Sequence, residues 1–106
     1  MKIHFYKYQA TGNDFLIIDN REENIILSEE NIQFLCHRHF GIGSDGVIFI
    51  NPSDIADFEM EMYNADGSQS EMCGNGIRCV GKYVYDYGLT DKEEVSVETL
   101  AGIKYL

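Results

Sequence analysis

The run Gly74-Asn75-Gly76-Ile77-Arg78-Cys79-Val80-Gly81-Lys82-Tyr83-Val84-Tyr85-Asp86-Tyr87-Gly88 decides the architecture. Ile77, Val80, Val84 and Tyr87 recur at helical spacing and make one apolar stripe, and Gly88 stands where a left-handed C-cap closes a helix. What precedes and follows it alternates as strands do. Phe58, Met60 and Met62 alternate with Asp57, Glu59 and Glu61, a strand with one wet face. Val47 to Ile50 is a short apolar strand ended by the turn Asn51-Pro52-Ser53. Further upstream, Ser28 before Glu29 and Glu30 is an N-cap with an acidic first turn. Ile32, Leu35, Cys36 and His39 then share a helical stripe as far as Gly41, about three turns. At the start, Ile3 to Tyr8 separates an Ile3, Phe5, Lys7 face from a His4, Tyr6, Tyr8 face. Thr11-Gly12-Asn13 breaks the chain before a second strand, Asp14 to Asp19. Downstream, Val95, Val97 and Thr99 form a strand, and Ala101-Gly102 turns into Ile103 to Leu106, where the sequence stops inside a hairpin strand.

Two β-β-α units followed by two strands give an α+β fold: a mostly antiparallel, curved sheet wrapped round a central helix, not alternating βαβ units. Residues 1–106 read as one domain, and the stop within a hairpin is expected of a fragment or of a sheet completed elsewhere. There is no internal repeat and no low-complexity stretch.

Composition narrows the class. The chain has 106 residues, 44% hydrophobic and 25% charged, with a formal net charge of minus ten. Eighteen acidic against eight basic side chains repel phosphate, which argues against a general nucleic-acid or anionic-membrane binder; Arg78 and Lys82 make no patch. No run approaches the roughly 18 apolar residues of a membrane span, and no signal-peptide core is present, so a cytoplasmic location is expected. Three cysteines, Cys36, Cys73 and Cys79, are an odd set too sparse for a disulfide scaffold.

Gly41-Ile42-Gly43-Ser44-Asp45-Gly46 fits the dinucleotide pattern G-x-G-x-x-G, but in the wrong context. That loop needs a strand before it and a helix start after it to hold pyrophosphate, and here a helix precedes and a strand follows. A helix end with a tight turn is the better reading. Cys36, His37 and His39 point in different directions on a helix, and Cys73 and Cys79 lack the two-residue gap that grips zinc, so no metal site is expected. His4 reads as a strand-edge residue, and Cys36 and Cys79 as small buried apolar groups.

Chemistry concentrates in Asn64-Ala65-Asp66-Gly67-Ser68-Gln69-Ser70-Glu71-Met72-Cys73-Gly74-Asn75-Gly76. The first amides of a helix lack intrahelical acceptors, and the dipole adds roughly half a positive charge, which suits a carboxylate. The same field draws a neighbouring thiol below its usual pKa of about 8.5, which makes Cys73 a base or nucleophile. A glycine-rich N-cap with an inert buried cysteine fits the spacing equally well. Asn13 and Asn64, on spacing alone, are a turn residue and a strand-end cap.

Gly12-Asn13-Asp14-Phe15, His39-Phe40-Gly41-Ile42-Gly43-Ser44-Asp45-Gly46, Asn64-Ala65-Asp66-Gly67-Ser68 and Met72-Cys73-Gly74-Asn75-Gly76-Ile77-Arg78-Cys79 together resemble the N-terminal half of the diaminopimelate epimerase family. The resemblance implies one of two pseudo-symmetric domains facing across a cleft, with the C-terminal domain absent. It implies cofactor-independent inversion of LL-diaminopimelate to the meso isomer by two cysteines, in lysine and peptidoglycan-precursor synthesis, without pyridoxal phosphate or metal. By the resemblance Cys73 is one of the acid/base pair, Gly74 and Asn75 hold the reacting α-carboxylate, and Asn13 and Asn64 bind the distal amino-acid end. Gly46 stands where some members carry a substrate-contacting glutamine, and no contact is assigned to it. With one thiol the chain is expected to be inactive as a monomer, its partner being the missing half or another copy in a homodimer. A related amino-acid racemase and a non-catalytic binding or interaction domain are the alternatives.

Overall fold

The computed structural model describes residues 5–10, 12–22, 27–39, 41–70, 74–89 and 94–105. Expectations that rested on Ile3, His4, Thr11, Cys73 and Leu106 lie outside the described residues. Along the chain come β1 (Tyr6–Ala10), β2 (Asn13–Asp19), α1 (Glu29–Cys36), β3 (Gly46–Asn51), β4 (Phe58–Asn64), β5 (Gln69–Ser70), α2 (Gly74–Asp86), β6 (Ser96–Thr99) and β7 (Gly102–Tyr105).

The strands form one sheet in the order β1-β2-β3-β4-β6-β7, with β5 also on β4. β6 pairs with Phe58 and Glu59 and β5 with Met62 and Tyr63, so the two short strands share one edge of β4. Among the described residues four of the six strand pairings are antiparallel, as expected of most of the sheet, but the sheet is mixed: β2–β3 and β4–β6 are parallel. Both parallel pairs are connected through a helix, because a tight hairpin can only reverse a strand. The β-α-β connections set aside on the sequence are therefore present, nested within the β-β-α order.

Helices cover both faces, not one. Phe15, Ile17, Ile48, Ile50, Met60, Met62 and Val97 pack with Ile77, Val80, Tyr83 and Val84 of α2. Alternate residues of the same strands, Leu16, Ile18, Val47 and Phe49, pack with Ile32 and Cys36 of α1. Two-sided burial explains the unbroken apolar runs of β2 and β3, whereas β4 buries Phe58, Met60 and Met62 and leaves Glu59 and Glu61 half-buried. Each fully buried Leu or Ile contributes about 1.5–3 kcal/mol.

On α2 the buried aromatic is Tyr83, while Tyr87, expected on the stripe, is half exposed and stacks on Tyr6 at 4.6 Å. Gly88 closes the helix at φ +62: its N–H reaches the Tyr85 carbonyl at 3.3 Å, and the Leu89 N–H reaches Val84 at 3.0 Å. Ser28 caps α1 as expected, through a reciprocal pair in which each backbone N–H, of Ser28 and of Asn31, donates to the other's side chain. This helix is shorter than expected, ending at Cys36 with His39 exposed beyond it. The chain folds straight back on the helix end: the Ile42 and Gly43 N–H groups donate to the Leu35 carbonyl at 3.0 Å and Ser44 N–H to Cys36 at 3.2 Å. Among the described residues no helix is long and apolar enough to cross a membrane.

Candidate functional site

Register, not proximity in sequence, assembles the candidate residues. Gly46, the first residue of β3, pairs with Phe15 on one side and with Asn64 on the other. Asn13 opens β2 two residues before Phe15, and Asn64 closes β4, so both lie at one end of the sheet, on either side of β3. Chain length bounds how far the first turn of α2 can stand from the β4 edge. Ser70 pairs with Met62, and four Cα steps of about 3.8 Å separate it from Gly74, a reach of about 15 Å at most.

Asn64 sits in a tight turn. Its N–H donates to the Ser68 carbonyl at 2.8 Å, its carbonyl accepts from the Gly67 N–H at 2.9 Å, and its side-chain amide donates to Ser68 Oγ at 3.1 Å. Asp66 Oδ1 accepts from the Ser68 N–H and hydroxyl at 2.8 and 2.6 Å, and these bonds hold its carboxyl below the usual range. Helix α1 pins the turn from outside. Gln33 donates to the Asp66 carbonyl at 2.6 Å, and Gly67, at φ +89, leaves no room for a Cβ against Glu29.

Asn13 belongs to a charged knot. Its Nδ2 donates to Asp45 Oδ2 at 3.3 Å. Arg38 donates to both oxygens of Asp14 at 3.2 Å and to Asp45 Oδ1 at 3.2 Å, and Lys7 lies 3.4 Å from Asp14. The Arg38 hydrogen bonds, against the opposing effect of burial, bring the Asp14 carboxyl down to about 2. Sequence reasoning quoted Asp14 and Asp45 within its motifs but gave them and Arg38 no role. An aspartate close to a glycine at two places about thirty positions apart, Asp14 two residues after Gly12 and Asp45 just before Gly46, is the signal that was available.

Gly74 begins α2 and is exposed, and the direction in which a Cβ would project from it meets nothing within 4 Å. Its φ is not in the left-handed range, so among the described residues neither packing nor backbone conformation requires glycine there. Asn75 is the second residue of α2, and no acidic side chain occupies the first turn. Cys73 lies outside the described residues and immediately precedes Gly74 in sequence. Gly46 is required by packing, because a Cβ there would stand 2.6 Å from the Tyr63 carbonyl oxygen.

Other candidates separate. The amides of Ile42, Gly43 and Ser44 are spent on the end of α1, so the G-x-G-x-x-G loop does not turn them towards a phosphate. Cys36 is buried, with its thiol pushed up by burial, while His37 and His39 are exposed, and among the described residues no three His, Cys, Asp or Glu side chains are grouped to hold a metal ion. A groove of about 610 Å³ lies on the α1 side of the sheet, but Glu59, Glu61 and Glu98 line it and repel a carboxylate. Polar backbone at the start of α2, not this groove, suits an anionic ligand.

The sequence pattern of the family described as diaminopimelate epimerase matches residues 5–106. Diaminopimelate epimerases of Leptospira biflexa and Agathobacter rectalis are 56% and 60% identical over 103 and 102 residues, covering 97% and 96% of this chain. The chain spans 37% and 36% of their lengths. The crystal structure of a methylitaconate-delta-isomerase superposes at TM-score 0.75 with 17% identity, over 99% of this chain and 58% of that one, a likeness of fold. A Bacillus anthracis phenazine biosynthesis protein of the PhzF family superposes at 0.68 with 25% identity, over 97% of this chain and 33% of that one.

Proposed function

Since this chain belongs to the diaminopimelate epimerase family, a family of isomerases, we propose that it supplies one half-site for inverting LL-diaminopimelate to the meso isomer without a cofactor. The reaction serves lysine and peptidoglycan-precursor synthesis. Cys73 is the thiol acid/base of this half. As a thiolate it takes the α-proton from one face of the substrate, and a second thiol from the complementary half delivers a proton to the opposite face. Bonds balance: one C–H breaks, one C–H forms, and the two sulfurs exchange protonation states. This domain is one of two pseudo-symmetric halves.

An amino-acid α-carbon is a weak acid, so the site must stabilise charge as it develops on the α-carboxylate. The Gly74 and Asn75 N–H groups carry this out at the start of a 13-residue helix, whose dipole also favours the Cys73 thiolate. Asn13 and Asn64 select the distal amino-acid end of the substrate. The observation that supports the reading is Gly74, first in α2, where among the described residues no atom stands within 4 Å of the place a side chain would begin.

Thiol reactivity tests it. Iodoacetamide should modify Cys73 well before the buried Cys36 and Cys79, with a pH midpoint below the roughly 8.5 of an ordinary thiol. Saturating diaminopimelate should slow that modification. A Cys73 that titrates normally and gains no protection contradicts the assignment.

A further inference from the structure

We infer that Asp45 is the positioning residue for the Asn13 carboxamide, an inference that rests on Asn13 contacting the substrate as proposed above. A carboxamide has two faces of opposite hydrogen-bonding sense, oxygen and NH2, and an isolated asparagine at a strand start turns freely between them. An ionised carboxylate only accepts, so the contact from Asn13 Nδ2 to Asp45 Oδ2 at 3.3 Å fixes which side of the carboxamide carries the nitrogen.

Asp45 is itself held more tightly than it holds Asn13. Oδ2 accepts from the Asp14 N–H at 2.9 Å and Oδ1 from Arg38 at 3.2 Å, so both oxygens are engaged. Its backbone N–H returns a bond to Asp14 Oδ1 at 2.9 Å, and Arg38 grips Asp14 through both carboxylate oxygens. Strand pairing fixes the frame: Asp14 and Asp45 immediately precede the paired residues Phe15 and Gly46. The arrangement is a chain of restraint, from Arg38 to two carboxylates to one carboxamide, that ends at the substrate-facing residue.

A double-mutant cycle with LL-diaminopimelate as the probe, read by NMR titration, tests this. Asp45→Ala removes Oδ2, the one oxygen that accepts from both Asn13 Nδ2 and the Asp14 N–H. It should weaken binding about tenfold in the wild-type background and have no further effect alongside Asn13→Ala. Equal weakening in both backgrounds, or none in either, overturns the role of Asp45. A wild-type chain that binds no diaminopimelate, or an Asn13→Ala chain that binds like wild type, overturns the functional reading instead, and this inference with it. A measurement on the unsubstituted chain keeps the test independent of folding defects: one Asn13 Nδ2 proton should be shifted downfield by the carboxylate. Two protons at the positions of a solvated amide overturn the contact.

Discussion

Asp14 and Asp45 each donate their backbone N–H to the other's carboxylate, both at 2.9 Å, across the parallel pair that joins β2 to β3. Two negative side chains facing each other at the ends of adjacent strands are unfavourable unless something neutral or positive stands between them. Here two amides and the Arg38 guanidinium do so. The knot therefore closes the mouth of the parallel pair and fixes Asn13 in one step.

Acid should undo it. The Asp14 carboxyl sits at about 2 in the folded chain, below the roughly 3.9 of an unperturbed aspartate. A depressed carboxyl contributes stability that is complete above the unfolded value and is lost as pH falls through the folded one. With Arg38 half exposed and solvent screening the pair, we expect about 1–2 kcal/mol to disappear between about pH 4 and 2. Urea unfolding across that range should show the loss in wild type and a flatter profile in Asp14→Asn. Parallel profiles would contradict it.

Gly67→Ala should destabilise the chain by about 1–3 kcal/mol, because φ +89 is costly for alanine and its methyl group meets Glu29. Urea midpoints measure this, and the displaced turn should also change the Asn64 amide resonances. A midpoint equal to wild type would mean that α1 yields freely at this contact.

Gly74→Ala should behave in the opposite way. Its methyl group projects into open space, and alanine is a better helix residue than glycine, so thermal stability is expected to be equal to or above wild type. Diaminopimelate binding should fall at least about tenfold, because the methyl group stands where the carboxylate would approach; that is about 1.4 kcal/mol. Unchanged binding would remove the main support for the carboxylate site.

Much of the fold was legible in local pattern. The 3.6-residue period marked α2, the Ser28 cap marked the start of α1, and alternation marked β4 and β6, because each is set by neighbours along the chain. The end of α1 was not, since Cys36 is the last helical residue only because amides of residues 42–44 fold back onto it. Gln69-Ser70 carries no pattern at all, and β5 exists because β6 leaves the far part of the β4 edge unpaired. Strand direction is likewise silent in an alternating run, which hid the parallel pairs. The unbroken runs Phe15–Ile18 and Val47–Ile50 suit two covered faces, which the expectation of a single central helix passed over. At the site, motif recognition singled out Asn13, Asn64, Gly74 and Asn75, but that the two asparagines share an end depends on their register through Gly46. The Arg38 contacts to Asp14 span 24 positions, beyond any local rule.

Titrating the isotopically labelled chain with LL-diaminopimelate by NMR asks whether these residues form one site. The backbone amides of Gly74 and Asn75 and the side-chain amides of Asn13 and Asn64 should shift together along a single saturating curve. Shifts confined to the acidic groove of Glu59, Glu61 and Glu98, or no saturable shift anywhere, would contradict the assignment.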